Sequence, residues 1–140
     1  MASTHHPLGI DIGGSGIKGA PVDLAKGQFA QDRLRRDTPR PSSPEGMVAI
    51  VTQIAHHFVD DTGDSPIGVT LPAVVTNGVV RTAANIDHAW IGTDAEQLFS
   101  ESLGRPVTVV NDADAAGVAE LHFGAARNTS GLVLVTTLGT

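Results

Sequence analysis

The sequence predicts a protein of the α/β class, and three observations carry that prediction. An apolar run at residues 8–12 stops at two glycines, which indicates a strand that enters a tight turn. Apolar side chains recur at helical spacing over residues 47–59, after serines suited to a helix start. A second apolar strand, at residues 107–110, leads directly into another helical segment. Alternation of strands and helices along a chain is typical of this class.

The first strand, at residues 8–12, turns through glycines into a second strand at residues 17–23. Glycines let main-chain N–H groups point into a concave site for an anion. Lys18 adds a positive charge there, and Asp11, at the strand end, can hold a cation such as Mg²⁺ through water. A plain glycine hairpin without a ligand is the alternative.

Two other glycine motifs are excluded by their surroundings. Gly14-x-Gly16-x-x-Gly19 matches the dinucleotide-binding fingerprint letter for letter. That fingerprint must open a helix, however, and Pro21 lies where the helix would run. A P-loop requires Ser or Thr after its lysine, whereas Lys18 is followed by glycine. The stretch therefore predicts a strand, a turn and a strand.

Residues 28–36 predict a third strand that is rich in arginine. Its Arg33, Arg35 and Arg36 form a local basic patch together with Arg40. An exposed charged face of a strand is the simpler interpretation of this pattern. The alternative is that the patch binds a polyanion.

The first helix begins in one of two ways. Either Ser42 and Glu45 form a capping box, or Ser43 caps the helix with Pro44 at its first position. The apolar face of this helix is formed by Met47, Val48, Val51, Ile54, Ala55, Phe58 and Val59. We expect this face to pack against the core.

The middle of the chain predicts a buried strand at residues 66–71, a hairpin at residues 74–80 and an irregular loop at residues 81–92. The hairpin is predicted from its Asn-Gly turn. The loop carries Asn85, whose carboxamide suits sugar hydroxyls because it both donates and accepts hydrogen bonds. We expect Trp90 to anchor the loop in the core rather than to stack on a ligand.

The second half of the chain predicts a helix that opens with a Thr93-x-x-Glu96 capping box and ends at Gly104. The apolar strand at residues 107–110 follows, and a further helix runs to Gly124. Residues 131–136 are apolar enough to predict a final strand.

Asn111 and Asp112 lie where the apolar strand gives way to a helix. Ligands of open α/β sheets gather outside the carboxyl ends of the strands. A carboxylate at a helix N-terminus stays ionised and can accept a proton from a substrate hydroxyl. The alternative is that Asp112 only caps the helix. Glu120, two turns on, shares a face with Asp112 and can bind the same polar ligand, although an isolated helix glutamate is more often solvated.

The composition limits the class of function. A chain of 140 residues, of which 41% are apolar, has enough material for one domain with a core. It contains no cysteine, which excludes disulfides and thiolate metal sites. The formal charge of −6 argues against nucleic acid as the main partner. Because no apolar run approaches the ~20 residues that span a bilayer and no signal peptide begins the chain, we expect a cytoplasmic protein without a membrane partner.

Two motifs resemble the ROK (repressor, ORF, kinase) family of sugar kinases. They are Asp-x-Gly-Gly-x-x-x-Lys at residues 11–18 and Asn-Asp-Ala-Asp at residues 111–114. The segments Arg-Thr-Ala-Ala-Asn-Ile-Asp and Trp-Ile-Gly, in the loop at residues 81–92, are similar to the polyphosphate glucokinases of actinobacteria within that family, and so are residues 111–120. The resemblance covers residues 8–140 and implies a ribonuclease H-like, actin-like ATPase domain.

The resemblance also implies an activity and a set of site residues. The activity is transfer of a phosphoryl group from polyphosphate or ATP to the 6-hydroxyl of glucose, with Asp112 as the catalytic base. The implied sugar contacts are Asn85, Asn111, Asp112 and Glu120. The residues implied at the phosphoryl donor are Asp11, Gly13, Gly14, Ser15 and Lys18, with Gly139 and Thr140 beginning a second phosphate-binding turn. Asp11 is expected to hold Mg²⁺, directly or through water, and the full-length protein is expected to be a homodimer.

Family members have two domains around a cleft, so we expect the chain to divide near its end. Residues 1–128 are expected to form the N-terminal kinase domain, with a loose tail at residues 1–7, and residues 129–140 to begin a second domain. We therefore expect the chain to be part of a longer protein. We expect it to be inactive by itself, because one side of a cleft cannot hold donor and sugar together.

One departure from the family concerns the sugar site. The family usually has Pro-Gly where this chain has Pro72-Ala73, and we expect the extra methyl group to crowd the sugar. The alternative functions are an ATP-dependent ROK kinase for another hexose and a non-catalytic sugar-binding module. A sugar-sensing regulator of this family would carry a helix-turn-helix ahead of the glycine motif, whereas few residues precede Leu8.

Overall fold

A mixed sheet of six strands forms the centre of the protein. The structure is a computed structural model, and it describes residues 5–138. The strands are β1 (Leu8–Ile12), β2 (Gly16–Asp23), β3 (Gln28–Phe29), β4 (Leu34–Asp37), β5 (Ile67–Leu71), β6 (Val75–Thr76), β7 (Val79–Val80) and β8 (Val107–Asn111). The helices are α1 (Pro44–His57), α2 (Val59–Thr62), α3 (Ala95–Leu103) and α4 (Asp112–Phe123). Among the described residues, no helix has the length and hydropathy that crossing a membrane requires.

The sheet combines a parallel half with an antiparallel half. Its strand order is β3-β2-β1-β5-β8, and β4 pairs with β2 beside β3. β1, β5 and β8 run parallel, whereas β2 is antiparallel to β1, β3 and β4. The crossovers into β5 and β8 step in the same direction and pass through α1 and α3. Because such crossovers are right-handed, both helices cover the same face, where they contact each other.

The hydrophobic core lies between this face of the sheet and the helices α1 and α3. The largest fully buried side chains are Leu8, Ile12, Ile17, Met47, Val51, Ile54, Phe58, Ile67, Val69, Leu71, Trp90 and Phe99. Burial of each such side chain contributes roughly 1.5–3 kcal/mol. The packing of α1 and α3 therefore stabilises the sheet, and the sheet carries polar residues on its opposite face.

The opposite face of the sheet is only partly covered. α4 leaves the end of β8 and reaches the turn after β2, where the ring of Phe123 packs against Gly27. No residue of α4 is buried. A groove of about 550 Å³ remains between α4 and the sheet. Small and apolar residues line most of it, together with Asp11, Lys18 and Arg33.

Several local predictions are confirmed. The first glycine stretch is a strand, a turn and a strand, not the start of a helix. The Asn-Gly hairpin is present, with φ of 50° at Asn77 and 79° at Gly78. Gly104 ends α3 in the left-handed region, with φ of 64°. At these three positions the backbone needs a positive φ, which glycine and asparagine supply at low cost.

The start of α1 follows the second of the two predicted alternatives. The hydroxyl of Ser43 accepts a hydrogen bond from the N–H of Gly46 at 3.2 Å, and Pro44 is the first helical residue. The end of this segment differs from the prediction. α1 ends at His57, with Phe58 as its C-cap, so Val59 begins α2 and is 48% exposed instead of joining the apolar face.

The predicted capping box of α3 is wrong. Asp94, not Thr93, caps the helix by accepting a hydrogen bond from the N–H of Gln97 at 2.9 Å. The carboxylate of Glu96 instead accepts from the N–H of Val109 in β8 at 3.0 Å. Glu96 therefore ties the helix to the sheet and is not available for a reciprocal cap.

The predicted third strand is two short strands, β3 and β4, with a break between them. Pro21 of the neighbouring strand β2 explains the break. Its carbonyl accepts a hydrogen bond from the N–H of Ala30 at 2.9 Å, but proline has no N–H to return. The ladder therefore opens at Pro21 and closes again where Gly19 pairs with Leu34.

The final strand predicted at residues 131–136 is absent. This segment has no regular secondary structure, and Leu132 and Leu134 are 101% and 87% exposed. A strand requires a partner for its backbone groups, and no described strand pairs with this segment.

We predict that Gly19→Ala destabilises the fold, whereas Gly68→Ala does not. A Cβ at Gly19 would lie 2.5 Å from Cγ2 of Ile54, and overpacking of this kind costs about 1–3 kcal/mol. A Cβ at Gly68 meets nothing within 4 Å, so that change acts mainly by restricting the unfolded chain. Thermal unfolding of both variants measures the difference, and equal melting temperatures would contradict the close packing of β2 on α1.

Candidate functional site

The candidate site lies at the carboxyl ends of the parallel strands. In the register of the sheet, Asp11 of β1 and Val110 of β8 both pair with Thr70 of β5. Since neighbouring strands are ~4.8 Å apart, the backbones at Asp11 and Val110 are separated by ~10 Å. Asn111 and Asp112 follow directly. The structure therefore brings the two predicted carboxylates, Asp11 and Asp112, to one edge with a single strand between them.

The glycine turn between β1 and β2 presents main-chain donors at this edge. The N–H of Gly13 donates to the carbonyl of Gly16 at 3.0 Å and closes the turn. Gly14 and Ser15, at its tip, are exposed. Within residues 5–138, the N–H groups of Gly14 and Ser15 have no protein acceptor. Such N–H groups form an anion-binding concavity.

Asp11 and Lys18 form the charged part of the site. They are register partners on β1 and β2, so their side chains project from the same face of the sheet. One oxygen of the Asp11 carboxylate accepts a hydrogen bond from the hydroxyl of Thr70 at 2.7 Å. Neither Asp11 nor Lys18 forms an ion pair within 4 Å with another described residue.

The donor set at Asp11 fits Mg²⁺. This ion is commonly bound through one or two carboxylates, with water and substrate phosphates completing its shell. Asp11 is exposed, and the bond from Thr70 leaves its second carboxylate oxygen available. No cluster of three or more His, Cys, Asp or Glu side chains that could enclose a metal occurs in residues 5–138. An ion at Asp11 would therefore take most of its ligands from water and substrate phosphates.

Asn111, rather than Asp112, caps α4. Its Oδ1 accepts hydrogen bonds from the N–H groups of Ala113 at 2.9 Å and Asp114 at 3.3 Å. Its Nδ2 donates to the carbonyl of Ala73 at 2.9 Å. The interpretation of Asp112 as a simple N-cap is therefore wrong. Asp112 occupies the first turn of α4, exposed, with its Oδ1 2.9 Å from the N–H of Ala113.

The structure contradicts the expected effect of Ala73. This residue is 4% exposed and belongs to the hydrophobic core, while its carbonyl holds Asn111. After β5, the methyl group of Ala73 therefore packs into the core, while its carbonyl faces the start of α4. Crowding of a sugar by this methyl group is therefore not supported.

The loop that carries Asn85 is anchored at both sides of that residue. Ala83, Ile86 and Trp90 are buried, and the indole N–H of Trp90 donates to the carbonyl of Ser42 at 3.0 Å. The core role expected for Trp90 is thereby confirmed. Asn85 itself is exposed, so its carboxamide is available to a ligand.

Glu120 is not brought to Asp112 in this structure. The two residues are eight positions apart on α4, which corresponds to a rise of ~12 Å. The carboxylate of Glu120 accepts a hydrogen bond from the N–H of Ala125 at 2.8 Å, past the end of its own helix. Its sugar contact stays a prediction, as do the donor contacts of Gly139 and Thr140, which lie outside the described residues.

Sequence reasoning missed Thr70 at this edge. A signal for it exists, because Thr70 interrupts an otherwise apolar strand one residue before its end. The carbonyls of Ser42 and Ala73 accept the hydrogen bonds that hold Trp90 and Asn111 in place. The sequence gives no signal for these contacts, because every residue type has a carbonyl.

Comparison with known proteins gives consistent matches. The profile of the ROK family matches residues 7–140. The polyphosphate glucokinase of Mycobacterium tuberculosis (strain H37Rv) is 49% identical over 136 residues, which are 96% of this chain and 50% of that relative. The chain spans about half the length of the curated relatives it matches.

Solved structures resemble the fold closely. The inorganic polyphosphate/ATP-glucomannokinase of Arthrobacter sp. strain KM has a TM-score of 0.87 and 44% identity, over 91% of this chain and 52% of that chain. A ROK family glucokinase of Streptomyces griseus, solved with glucose and AMPPNP, has a TM-score of 0.76 and 29% identity, over 87% of this chain and 38% of that chain. These matches confirm the expected ribonuclease H-like, actin-like ATPase fold.

We predict that Asn111→Ala destabilises the domain by about 1–2 kcal/mol, because it removes the cap of α4. Asn111→Ser keeps an oxygen that can cap the helix and loses the bond to Ala73 without adding a charge, so it should cost less. Denaturant unfolding of the two variants measures the order. A larger loss for Ser than for Ala would show that the capping oxygen is not the stabilising part of this side chain.

Proposed function

The chain belongs to the ROK family, and we propose that it forms the N-terminal half of a glucokinase that uses polyphosphate or ATP. The observation that carries this proposal is the pair of exposed carboxylates, Asp11 and Asp112, at one sheet edge with a single strand between them. The names of the similar proteins support glucose as acceptor and both donors. We infer that the part of those relatives outside the match supplies the other side of the cleft.

In this function, Asp112 takes the proton from the 6-hydroxyl of glucose. Its exposed carboxylate lies in the first turn of α4, at the carboxyl end of β8. As the proton moves to the carboxylate, the sugar oxygen bonds to the terminal phosphorus of the donor. The bridging P–O bond breaks, which leaves ADP or a polyphosphate one unit shorter. Catalysis is then mainly positioning and neutralisation of charge.

The phosphoryl donor is proposed to lie against the glycine turn. The N–H groups of Gly14 and Ser15 point at its terminal phosphate, with Gly13 shaping the turn, and the ammonium of Lys18 adds a positive charge. Asp11 would hold Mg²⁺, which neutralises charge on the transferred group when it is bound. The bond from Thr70 fixes the orientation of the Asp11 carboxylate for that purpose.

The sugar is proposed to lie between α4 and the anchored loop. Asn85 contributes a full carboxamide, because its side chain is exposed and the loop around it is held by buried neighbours. Asn111 contributes only its second N–H, since its other groups cap α4 and bind Ala73. Glu120 can offer the sugar its second carboxylate oxygen, since one oxygen accepts the hydrogen bond from the N–H of Ala125.

We predict that Asp112→Asn in the whole protein lowers kcat by roughly 10²-fold or more, the usual effect of a positioned general base. Sugar binding should largely survive because Asn keeps the shape and one acceptor. Steady-state kinetics with glucose and each donor, together with calorimetry of glucose binding, test this. Asp114→Asn is the matched control, because it removes the same charge from the same helical turn at an exposed position. Near-normal turnover of Asp112→Asn would remove this residue from the base role.

The basic patch leads to a donor prediction that the structure makes more specific. Arg33 lines the groove that contains Asp11 and Lys18, whereas Arg36 pairs with the buried Ile17 and projects from the other face of β4. If the patch guides polyphosphate, Arg33→Gln should raise the KM for polyphosphate about two- to fivefold at low salt and spare ATP, as expected for one exposed charge.

Arg36→Gln removes the same charge from a position three residues along the chain and should change the KM for polyphosphate less. Raising the ionic strength should abolish the difference between the two variants. Equal effects on both donors, or equal effects of both variants, would contradict a polyphosphate path along the groove.

A further inference from the structure

The glycine turn is held from outside by β4 and the residue after it. The hydroxyl of Thr38, which is 9% exposed, donates to the carbonyl of Gly13 at 2.6 Å. The guanidinium of Arg35 donates through Nη2 to the carbonyl of Ser15 at 3.0 Å, and the N–H of Thr38 lies 3.4 Å from the same oxygen. Two of the turn's carbonyls are therefore occupied by donors from one short segment.

The close approach of Arg35 depends on a glycine. A Cβ at Gly16 would lie 2.7 Å from Nε and 2.8 Å from Nη2 of Arg35. The guanidinium thus packs directly over the backbone of Gly16, while its Nη1 is 2.6 Å from the carboxylate of Asp37. Arg35 is therefore already engaged by the turn and by Asp37, which distinguishes it from the other arginines of the basic patch.

Fixing a carbonyl also fixes the N–H of the same peptide unit. The peptide bond is planar and trans, so its C=O and N–H point in opposite directions. The carbonyl of Gly13 shares a peptide with the N–H of Gly14. When Thr38 binds that carbonyl on one side, the N–H of Gly14 is directed to the other side, away from Thr38, at the exposed tip of the turn. Glycines are otherwise the residues most free to rotate such a peptide.

We propose that Thr38 and Arg35 are positioning residues for the phosphoryl donor. Thr38 donates to the carbonyl of Gly13 and thereby holds the N–H of Gly14 in the direction that a phosphate oxygen requires. Arg35 donates to the carbonyl of Ser15 and thereby holds the other end of the same turn in place. Neither side chain touches the reacting atoms. The inference rests on the proposed function in that it takes the turn as the donor site, and it assigns the preorganisation of that site to the segment that ends β4.

The test compares Thr38→Val, which has the same shape without the donor, with Thr38→Ser, which keeps the hydroxyl. In the whole protein, Thr38→Val should lower kcat/KM for ATP and for polyphosphate about three- to tenfold, the range that corresponds to one net hydrogen bond. The dissociation constant for glucose should not change. Thr38→Ser should restore most of the donor kinetics. Gly16→Ala should reproduce the loss, because its Cβ displaces the Arg35 guanidinium without removing it.

Calorimetry with inorganic tripolyphosphate separates this inference from the proposed function. Weaker binding by Thr38→Val than by Thr38→Ser supports the inference, even if the wild-type protein phosphorylates no sugar, in which case the proposed function fails alone. Wild-type kinase activity with equal tripolyphosphate affinities in both variants overturns the inference and leaves the function standing. A loss of glucose affinity that parallels the loss of donor affinity also overturns it, because it would indicate general destabilisation.

Discussion

The pairing of β5 with both β1 and β8 is the constraint on which the candidate site depends. Thr70 of β5 is in register with Asp11 on one side and with Val110 on the other. Because all three strands are parallel, their carboxyl ends meet at one edge, and this brings Asp11, near the end of β1, and Asp112, directly after β8, to the same edge. A strand added or lost between β1 and β8 would change the separation of the two carboxylates by ~4.8 Å, more than a phosphoryl transfer geometry tolerates.

The opposite, buried face of the same sheet sets how firmly that edge is held. Gly19 of β2 lies against Ile54 of α1 so closely that even a methyl group does not fit. β2, which begins at the glycine turn, therefore packs closely against α1 because Gly19 has no side chain. Preorganised main-chain donors act without reorganisation at the moment of reaction, so the rigidity of this packing serves the site as well as stability.

The sequence predicted those features of the structure that depend on interactions between neighbouring residues. The turn at Gly13, the cap of α1 at Ser43 and the α/β alternation follow from the conformational freedom of glycine, from cap chemistry and from periodicity. The rest depends on pairs that are distant in sequence. The break of the third strand follows from Pro21 in its neighbour, and the bond from Thr38 to Gly13 joins residues 25 positions apart. No pattern within either segment specifies such a partner.

The position of Asp112 depends less on the core than the position of Asp11 does. α4 buries none of its residues, and the groove of about 550 Å³ separates much of it from the sheet. The helix is fixed mainly at its two ends, by the bond from Asn111 to Ala73 and by the packing of Phe123 on Gly27. The side chain of Asn111 therefore uses most of its hydrogen bonds to hold the helix that presents Asp112. The same carboxamide therefore has only one N–H left for a ligand, whereas the side chain of Asn85, exposed on a separately anchored loop, keeps all of its donors and acceptors available.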